Sequence, residues 1–591
     1  MDAQMQKDFI KGGAFLIENR SANEIFTPED LSEEQRMIGD TTRDFVDNEV
    51  LPNIEAMEKH DWEMARSLVH KAGELGLLGA NISEEYGGLA LDQTTGVVIA
   101  ENFGRASGFG VTFGSQTSIG LLPIFYFGSE YLKEKYIPQI ISGEKITAYC
   151  LSEAGSGSDA LGAKCNARLS EDGKHYILNG EKMWISNGAF ADFFIVFAKV
   201  DGEKKKFSAF VVEKSENCRP GAEEHKMGIK SSSTTPLILS DCHVPVENLI
   251  GEVGDGTKIA FNILNVGRFK LGASVTGGAK LALHHAIRYA NERQQFNVPI
   301  SSFGAMKHKL AEMATRVWVA ESMSYRTVGM IDALIGEDGG DKEKKLRSIE
   351  EYSVESSINK VWCSEALDYV VDEMVQIYGG AGYSADYPAE KAYRDARINR
   401  IFEGTNEINR LLIPGQLLKK AMKGELGLLQ AGKALQDEIM NPQISFDEDE
   451  GVLAKEMKLA QNAKKVALMV IGTAAQKYMA ELQNQQEILM NAADIIMNAY
   501  AMETAVLRAQ KLAEKGNAEN QIDMAAVFCN DAMQKIDMAA RNTIAAMTEG
   551  DEGKMLLVAL KRFTKNNSPI NTIAARQRIA DTLIAANKYV F

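Results

Sequence analysis

From Glu33 to Val46 the apolar positions recur at spacings of three and four, which predicts a helix with Ser32 just ahead of it as N-cap. The same period runs through most of residues 1 to about 145. Between about 146 and 250 the period changes. Tyr176-Ile177-Leu178, then Asn179-Gly180, then Glu181 to Ile185 predicts a hairpin, with Asn-Gly supplying the positive φ of a tight turn. Phe193 to Ala198 is a continuous apolar strand, and Phe207 to Val212 and Pro236 to Leu239 predict further strands. From about 251 the helical period returns, as in Lys280 to Ala290. After Pro414-Gly415 the chain turns rich in Ala and Met, and residues 450–591 contain one proline, Pro569. Runs such as Ile495 to Met502 suit long helices packed as a bundle. The acidic segment Phe446 to Glu450 reads as a solvated linker, and no tandem repeat of fixed period is present.

The predicted fold is therefore α+β and mainly α, in four parts. An N-terminal helical domain (1–145) precedes a middle antiparallel β domain (146–250). A helical bundle (251–413) and a C-terminal helical extension (414–591) follow. Composition narrows the function classes. The 591 residues carry 65 basic and 81 acidic side chains, a net charge of −16 and a pI near 5.2, which argues against a nucleic-acid coat. No apolar run approaches the about 18–20 residues needed to span a bilayer. The first twenty residues mix acids and bases and lack the parts of a secretory signal. Six cysteines without CxxC spacing point to a reducing compartment and no zinc site. The expected location is cytoplasmic, peripheral on the inner face of a membrane, or the mitochondrial matrix if a presequence has been removed.

Several segments carry candidate chemistry. Gly380-Ala381-Gly382-Tyr383-Ser384-Ala385 formally fits a dinucleotide fingerprint, but the residues before it read as helix rather than strand. The Ser/Gly segment Tyr149 to Asp159 permits close backbone approach and offers hydroxyls to a polar ring edge or phosphate. Taken alone it is an ordinary loop. A tryptophan on a strand, such as Trp184, is usually core, and Arg293 near a helix end is usually solvated. A glutamate between Phe402 and Gly404 suits partial burial, which would raise its pKa toward that of a base. Taken alone, an exposed loop glutamate is the blander reading.

Four segments occur together and in order: Tyr149 to Asp159, Lys182 to Gly188, Arg293 to Phe296, and Gln376 through Arg394-Asp395-Ala396 to Glu407. In that order they resemble the acyl-CoA dehydrogenase family of flavoproteins over about residues 30–413. With the helical extension, the chain looks most like the very-long-chain branch. The resemblance implies an FAD cofactor. Tyr149, Leu151, Ser152, Gly157 and Ser158 would lie along the flavin, with Trp184 and Ser186 as a wall and hydrogen-bond partner for its ring. Arg293 and Phe296 would reach the FAD of a neighbouring subunit, with Gln376, Gly379 and Gly380 on the adenosine side of that cofactor, so a homodimer is implied. Thr405 and Glu407 follow the base, and Glu407 is either a ribose-hydroxyl acceptor or a first-turn helix acid.

The resemblance makes Glu403 the catalytic base. A minority of the family places the base just before an upstream Arg, but here Gly267 precedes Arg268 and has no carboxylate. Ser158, Arg268 and Gly404 would contact acyl-CoA. Chain-length preference is not legible, although Gly114, Ser115 and Gly120 are small where a shorter-chain relative would need bulk. The chain departs from the family at Ala154 (usually Pro), Asn297 (usually Gly) and Gly304 (often Gln). The implied reaction is α,β-dehydrogenation of a saturated, long-chain acyl-CoA in fatty-acid β-oxidation, with electrons passing to an electron-transferring flavoprotein. Two rivals are an acyl-CoA oxidase and a flavin-bearing assembly scaffold with little turnover. The Lys- and Leu-bearing segment 416–436 adds a candidate membrane-surface contact.

Overall fold

The computed structural model describes residues 10–336, 339–441, 450–567 and 569–591. The helix Glu33–Phe45 starts where its capping residues place it. Ser32 accepts from the Gln35 N–H at 3.1 Å, and Gln35 returns the bond to the Ser32 N–H at 2.9 Å, a reciprocal cap. The helix Gln93–Phe103 is buried almost throughout and crosses the long helix Gly256–Glu292 at near backbone contact. Glycines permit the crossing: a Cβ on Gly277 would stand 1.7 Å from the Glu101 carbonyl oxygen, and one on Gly104 1.7 Å from that of Ser274.

The middle domain is an eight-stranded sheet: β1 (Thr147–Cys150), β2 (Asn166–Leu169), β3 (His175–Ser186), β4 (Phe193–Val200), β5 (Phe207–Glu213), β6 (Cys218–Pro220), β7 (Thr234–Pro245) and β8 (Leu249–Ile250). The order is β6-β7-β3-β2-β4-β5-β8, with β1 also paired to β4. Most pairs are antiparallel, but β4 runs parallel to both β1 and β2. The continuous apolar run of β4 follows from burial on both faces. Phe193, Ile195 and Phe197 enter one core, and Phe194, Val196 and Ala198 the other.

Asn179-Gly180 is not the expected hairpin turn. Both residues lie inside β3, where the register against β7 shifts between Leu178 and Gly180. Gly180 has φ +146°, and a Cβ there would sit 2.9 Å from the Cys165 Cα. The Asn179 side chain instead bridges to Asp241, donating to its carboxylate at 3.0 Å and accepting from its N–H at 2.8 Å. The glycine serves a bulge, and the true hairpin joins β2 to β3 through Ser170 to Lys174.

Four long helices, Gly256–Glu292, Gly304–Ile335, Ser353–Tyr378 and Asn406–Met422, form the bundle. The last runs through Pro414 unbroken, so the expected boundary at 413/414 falls inside a helix and the chain turns after Met422 instead. The extension contains Leu428–Met440, Ala454–Tyr478, Gln486–Lys515, Glu519–Met547, Gly550–Phe563 and Thr572–Ala586. Buried ion pairs fasten it to the rest. Glu503 takes Arg326 at 2.8 Å and also Lys464, while Arg508 bridges Glu29 and Glu321. Arg410 joins Glu365 at 2.6 Å to Asp494 at 2.8 Å.

Among the described residues no helix is long and apolar enough to cross a membrane. Lys420, expected on a membrane-facing surface, is spent internally. Its amino group donates to the Gly12 carbonyl at 3.1 Å and to the Glu351 carbonyl at 2.8 Å. Of the acidic linker, Phe446 to Asp449 lie outside the described residues.

Candidate active site

Thr405 caps the Asn406–Met422 helix, its hydroxyl accepting from the Ile408 N–H at 3.2 Å. The two residues before it both take positive φ, Glu403 at +56° and Gly404 at +80°. For a glutamate this is strained, and it persists because neighbours over-determine it. The buried Asn409 amide donates to the Gly404 carbonyl at 2.9 Å and the Thr405 carbonyl at 3.1 Å. Arg268 Nε donates to the Glu403 carbonyl at 3.4 Å, and its NH1 to Asn265 Oδ1 at 2.9 Å. Arg268 is only 5% exposed and holds the base loop through its backbone.

The strained turn sends the Glu403 carboxylate inward, where Oε2 is buried without a partner and faces Gly267. Burial pushes its pKa up to about 6, against the opposing pull of the Arg268 and Lys360 charges. Lys360 is itself fully buried, donates to Asn406 Oδ1 at 2.7 Å, and is drawn down by burial to about 7.

Glu403 opens onto a cavity of about 410 Å³ with mainly apolar walls. One wall is a stripe along the Gly256–Glu292 helix: Gly267, Lys270 and Leu271, Ser274 and Val275, Gly278, Leu281 and Ala282, and His285. That spacing is one helix face. Ile99, Phe103, Phe113 and Leu367 close other sides, and Ser186 brings in the sheet. Gly114 and Ser115 also line the cavity, and a Cβ on Gly114 would meet nothing within 4 Å. Gly120 does not line it, and a Cβ there would stand 2.5 Å from the Thr147 methyl.

The segment after β1 is pinned by a pair that sequence reasoning missed. Lys182, fully buried in β3, donates to the Leu151 carbonyl at 3.1 Å and to Glu153 Oε1 at 2.8 Å. Glu153 also accepts from the N–H groups of Lys164 and Cys165. Burial alone would raise its pKa, yet these donors hold it below the usual carboxylate value. The Ser152 carbonyl accepts from Met183 N–H at 2.9 Å, which seats the loop beside Trp184.

A second bulge, between Lys182 and Ile185, gives Trp184 φ +62° and turns its indole outward, 58% exposed rather than core. Ser186, two residues on, lines the cavity. Tyr149 is buried, its hydroxyl unpartnered, and the Glu403 charge adds to burial in raising its phenol pKa. Leu151 is buried, whereas Gly157 and Ser158 are exposed, and a Cβ on Gly157 would meet open space. An exposed indole, an orphaned phenol and an open Ser/Gly edge around one carboxylate fit a planar polar ring such as a flavin.

The structure thus groups Glu403, Gly404, Thr405, Arg268, Tyr149, Leu151, Ser152, Trp184 and Ser186. Arg293, Phe296, Gln376, Gly379 and Gly380 lie elsewhere. Arg293 caps the far end of the helix that carries Gly267, roughly 39 Å away at 1.5 Å per residue. Phe296 tips the adjoining two-stranded turn and is 87% exposed. Gln376, Gly379 and Gly380 end the Ser353–Tyr378 helix at the same end of the bundle, where Tyr289 and Tyr378 stack at 3.9 Å. Gly380 follows a helix, so the fingerprint lacks its strand. Glu407 is exposed in the first turn of its helix.

Residues 32–144 match the family description "Acyl-CoA dehydrogenase, N-terminal domain", residues 148–242 the middle domain, and residues 254–418 and 462–562 two C-terminal domain descriptions. The chain belongs to the acyl-CoA dehydrogenase family. A "Probable acyl-CoA dehydrogenase" of Bacillus subtilis is 49% identical across 99% of this chain and all of its own length. A "Very long-chain specific acyl-CoA dehydrogenase, mitochondrial" of Mus musculus is 34% identical across 91% of this chain and 84% of its own. The crystal structure of an acyl-CoA dehydrogenase complexed with FAD from Bacillus anthracis superposes with a TM-score of 0.96 at 50% identity, covering 98% of this chain and 100% of that one.

Within this acyl-CoA dehydrogenase, sequence reasoning missed Lys360 and Asn409, which bond the base loop and the helix it opens. Lys360 comes from the distant Ser353–Tyr378 helix and meets Asn406, whereas Asn409 lies in the first turn of the helix that the base loop opens and reaches back onto it.

Proposed function

We propose that the chain oxidises long-chain saturated acyl-CoA thioesters to trans-2-enoyl-CoA in fatty-acid β-oxidation, with Glu403 as the base. The observation that carries this is the buried, unpartnered Glu403 carboxylate at a deep apolar cavity. Glu403 takes the α-proton, and its raised pKa suits that exchange near neutral pH. Trp184 and Ser186 would hold FAD at this edge of the site, and the bound flavin would supply the acceptor for the β-hydrogen. Among the described residues nothing accepts from the Glu403 N–H, which leaves it available to stabilise charge developing on the thioester oxygen. The cavity stripe from Gly267 to His285 extends roughly 27 Å along the helix axis at 1.5 Å per residue, which favours a long chain.

Arg293 is too remote to touch the flavin beside its own Glu403, and supports the reading that it completes the site of a second copy in a homodimer. Electrons leave to an electron-transferring flavoprotein. Lys419, Lys423 and Lys433, with Met422 and Leu429, remain exposed and form the candidate membrane contact. Failure to sediment with anionic vesicles would remove that contact.

Anaerobic bleaching of the flavin by saturated acyl-CoA thioesters tests the main reading. Palmitoyl-CoA should bleach faster than butyryl-CoA, and Gly114→Phe should reverse that order by filling the cavity. No bleaching by any thioester would refute dehydrogenation, and a butyryl preference in the wild type would refute the long-chain assignment.

A further inference from the structure

Lys270 stands three residues beyond Gly267 and therefore one turn further along the cavity wall. Its ammonium donates to Asn81 Oδ1 at 3.0 Å. That acceptor is fixed from behind, because the Asn81 amide nitrogen donates to the carbonyls of Leu91 at 3.2 Å and Asp92 at 2.6 Å. Gly96 allows the fit, since a Cβ there would lie 2.4 Å from Asn81 Oδ1.

The charge on Lys270 is otherwise unanswered. The buried cations Lys182, Lys464 and Arg326 and the half-buried Lys280 each meet a carboxylate. Arg268 and Lys360 share the charge of Glu403. Among the described residues no carboxylate pairs with Lys270. Among the described residues, one acceptor, Asn81 Oδ1, answers its three N–H groups. An ammonium beside apolar walls is costly unless something compensates it, and a plain alkyl chain in this cavity offers no acceptor.

We propose that Lys270, oriented by Asn81, recognises a carboxylate carried on the acyl chain, so that carboxyl-bearing acyl-CoA thioesters are preferred over methyl-terminated ones. The inference rests on the dehydrogenase reading and names a substrate class within it. Such a carboxylate would occupy the free N–H groups and neutralise the ammonium without disturbing Glu403. Burial alone draws the Lys270 pKa down to about 8, so the group is still mainly cationic at neutral pH and would be held so by an anionic ligand.

The test compares ω-carboxyacyl-CoA with methyl-terminated acyl-CoA of equal chain length, by anaerobic stopped-flow and steady-state kinetics. Wild-type enzyme should favour the carboxylated thioester in kcat/KM by about tenfold or more, as expected where a site's polar group would otherwise go unpaired. Lys270→Met should collapse that ratio mainly through KM, and Lys270→Arg should retain part of it. Asn81→Ala, which keeps the charge but frees it, should lower the ratio less. Equal kcat/KM for both thioesters in the wild type, or a Lys270→Met enzyme that keeps the wild-type ratio, would overturn the proposal and leave the dehydrogenase reading standing. Failure of both thioesters to bleach the flavin would overturn the two together.

Discussion

The Glu403 carboxylate packs so closely on Gly267 that no side chain fits between them: a Cβ on Gly267 would stand 2.6 Å from Oε2 and 3.0 Å from the carboxyl carbon. The absence of a side chain at 267 is thus a steric condition for the base at 403. Gly267→Ala should push the carboxylate out of line, and a misplacement of about 1 Å can cost about 10²-fold in rate. Flavin reduction by palmitoyl-CoA should fall by about that factor while FAD content stays normal. A variant that reduces its flavin at the wild-type rate would show that the carboxylate has room to move aside.

The pH profile of flavin reduction should report Glu403 directly. Burial raises its pKa from 4.5 to about 6, and only the deprotonated form can take a proton, so the rate should climb through about pH 6 and level off above it. Arg268 and Lys360 are the cations facing it, and Tyr149 is the neighbouring neutral group. Lys360→Met removes a charge that favours the carboxylate, so the midpoint should move upward. A midpoint that stays in place or moves down would show that Lys360 is not coupled to the base.

Much of the architecture was legible because local signals agreed with packing. Ser32 announces the N-cap of its helix, and the period change near 146 marks the sheet. The misreadings share a cause. Asn179-Gly180 supplies positive φ to a turn or to a bulge, and only the pairing of β3 with β7 decides between them. The composition shift after Pro414 suggests a boundary there, yet Pro414 lies within a helix whose Ile413 and Leu417 are fully buried. At the site, Glu403 stood out through the family motif, whereas Lys182, Lys360 and Lys270 each act on residues far away in the chain. Nothing local distinguishes a buried lysine from the solvated majority.

The extension is fastened by charges that can be tested singly. Glu503 is fully buried and answers both Arg326 and Lys464. Glu503→Ala would strand two buried cations, and breaking such a pair typically costs about 3–5 kcal/mol. Calorimetry should show the first unfolding transition several degrees lower, with Glu503→Gln intermediate because it retains hydrogen bonding. An unchanged thermogram for Glu503→Ala would mean that the pairs contribute nothing to docking.

Glu403→Gln isolates the chemistry from the architecture. The amide keeps the shape of the side chain, and the turn that carries it is held through backbone atoms by Asn409 and Arg268, not through the carboxylate. FAD content and the thermal transition should therefore match the wild type. The amide cannot accept the α-proton at neutral pH, and hydride cannot leave the β-carbon without the electron density that deprotonation places on the α-carbon. A general base alone contributes about 10²–10⁴-fold, and the loss should reach at least that range. Binding should survive, because Oε2 has no partner to lose and the Glu403 N–H remains in place. Stopped-flow reduction with palmitoyl-CoA decides the matter: a Glu403→Gln rate within about tenfold of wild type, smaller than any general-base contribution, would remove Glu403 from the reaction.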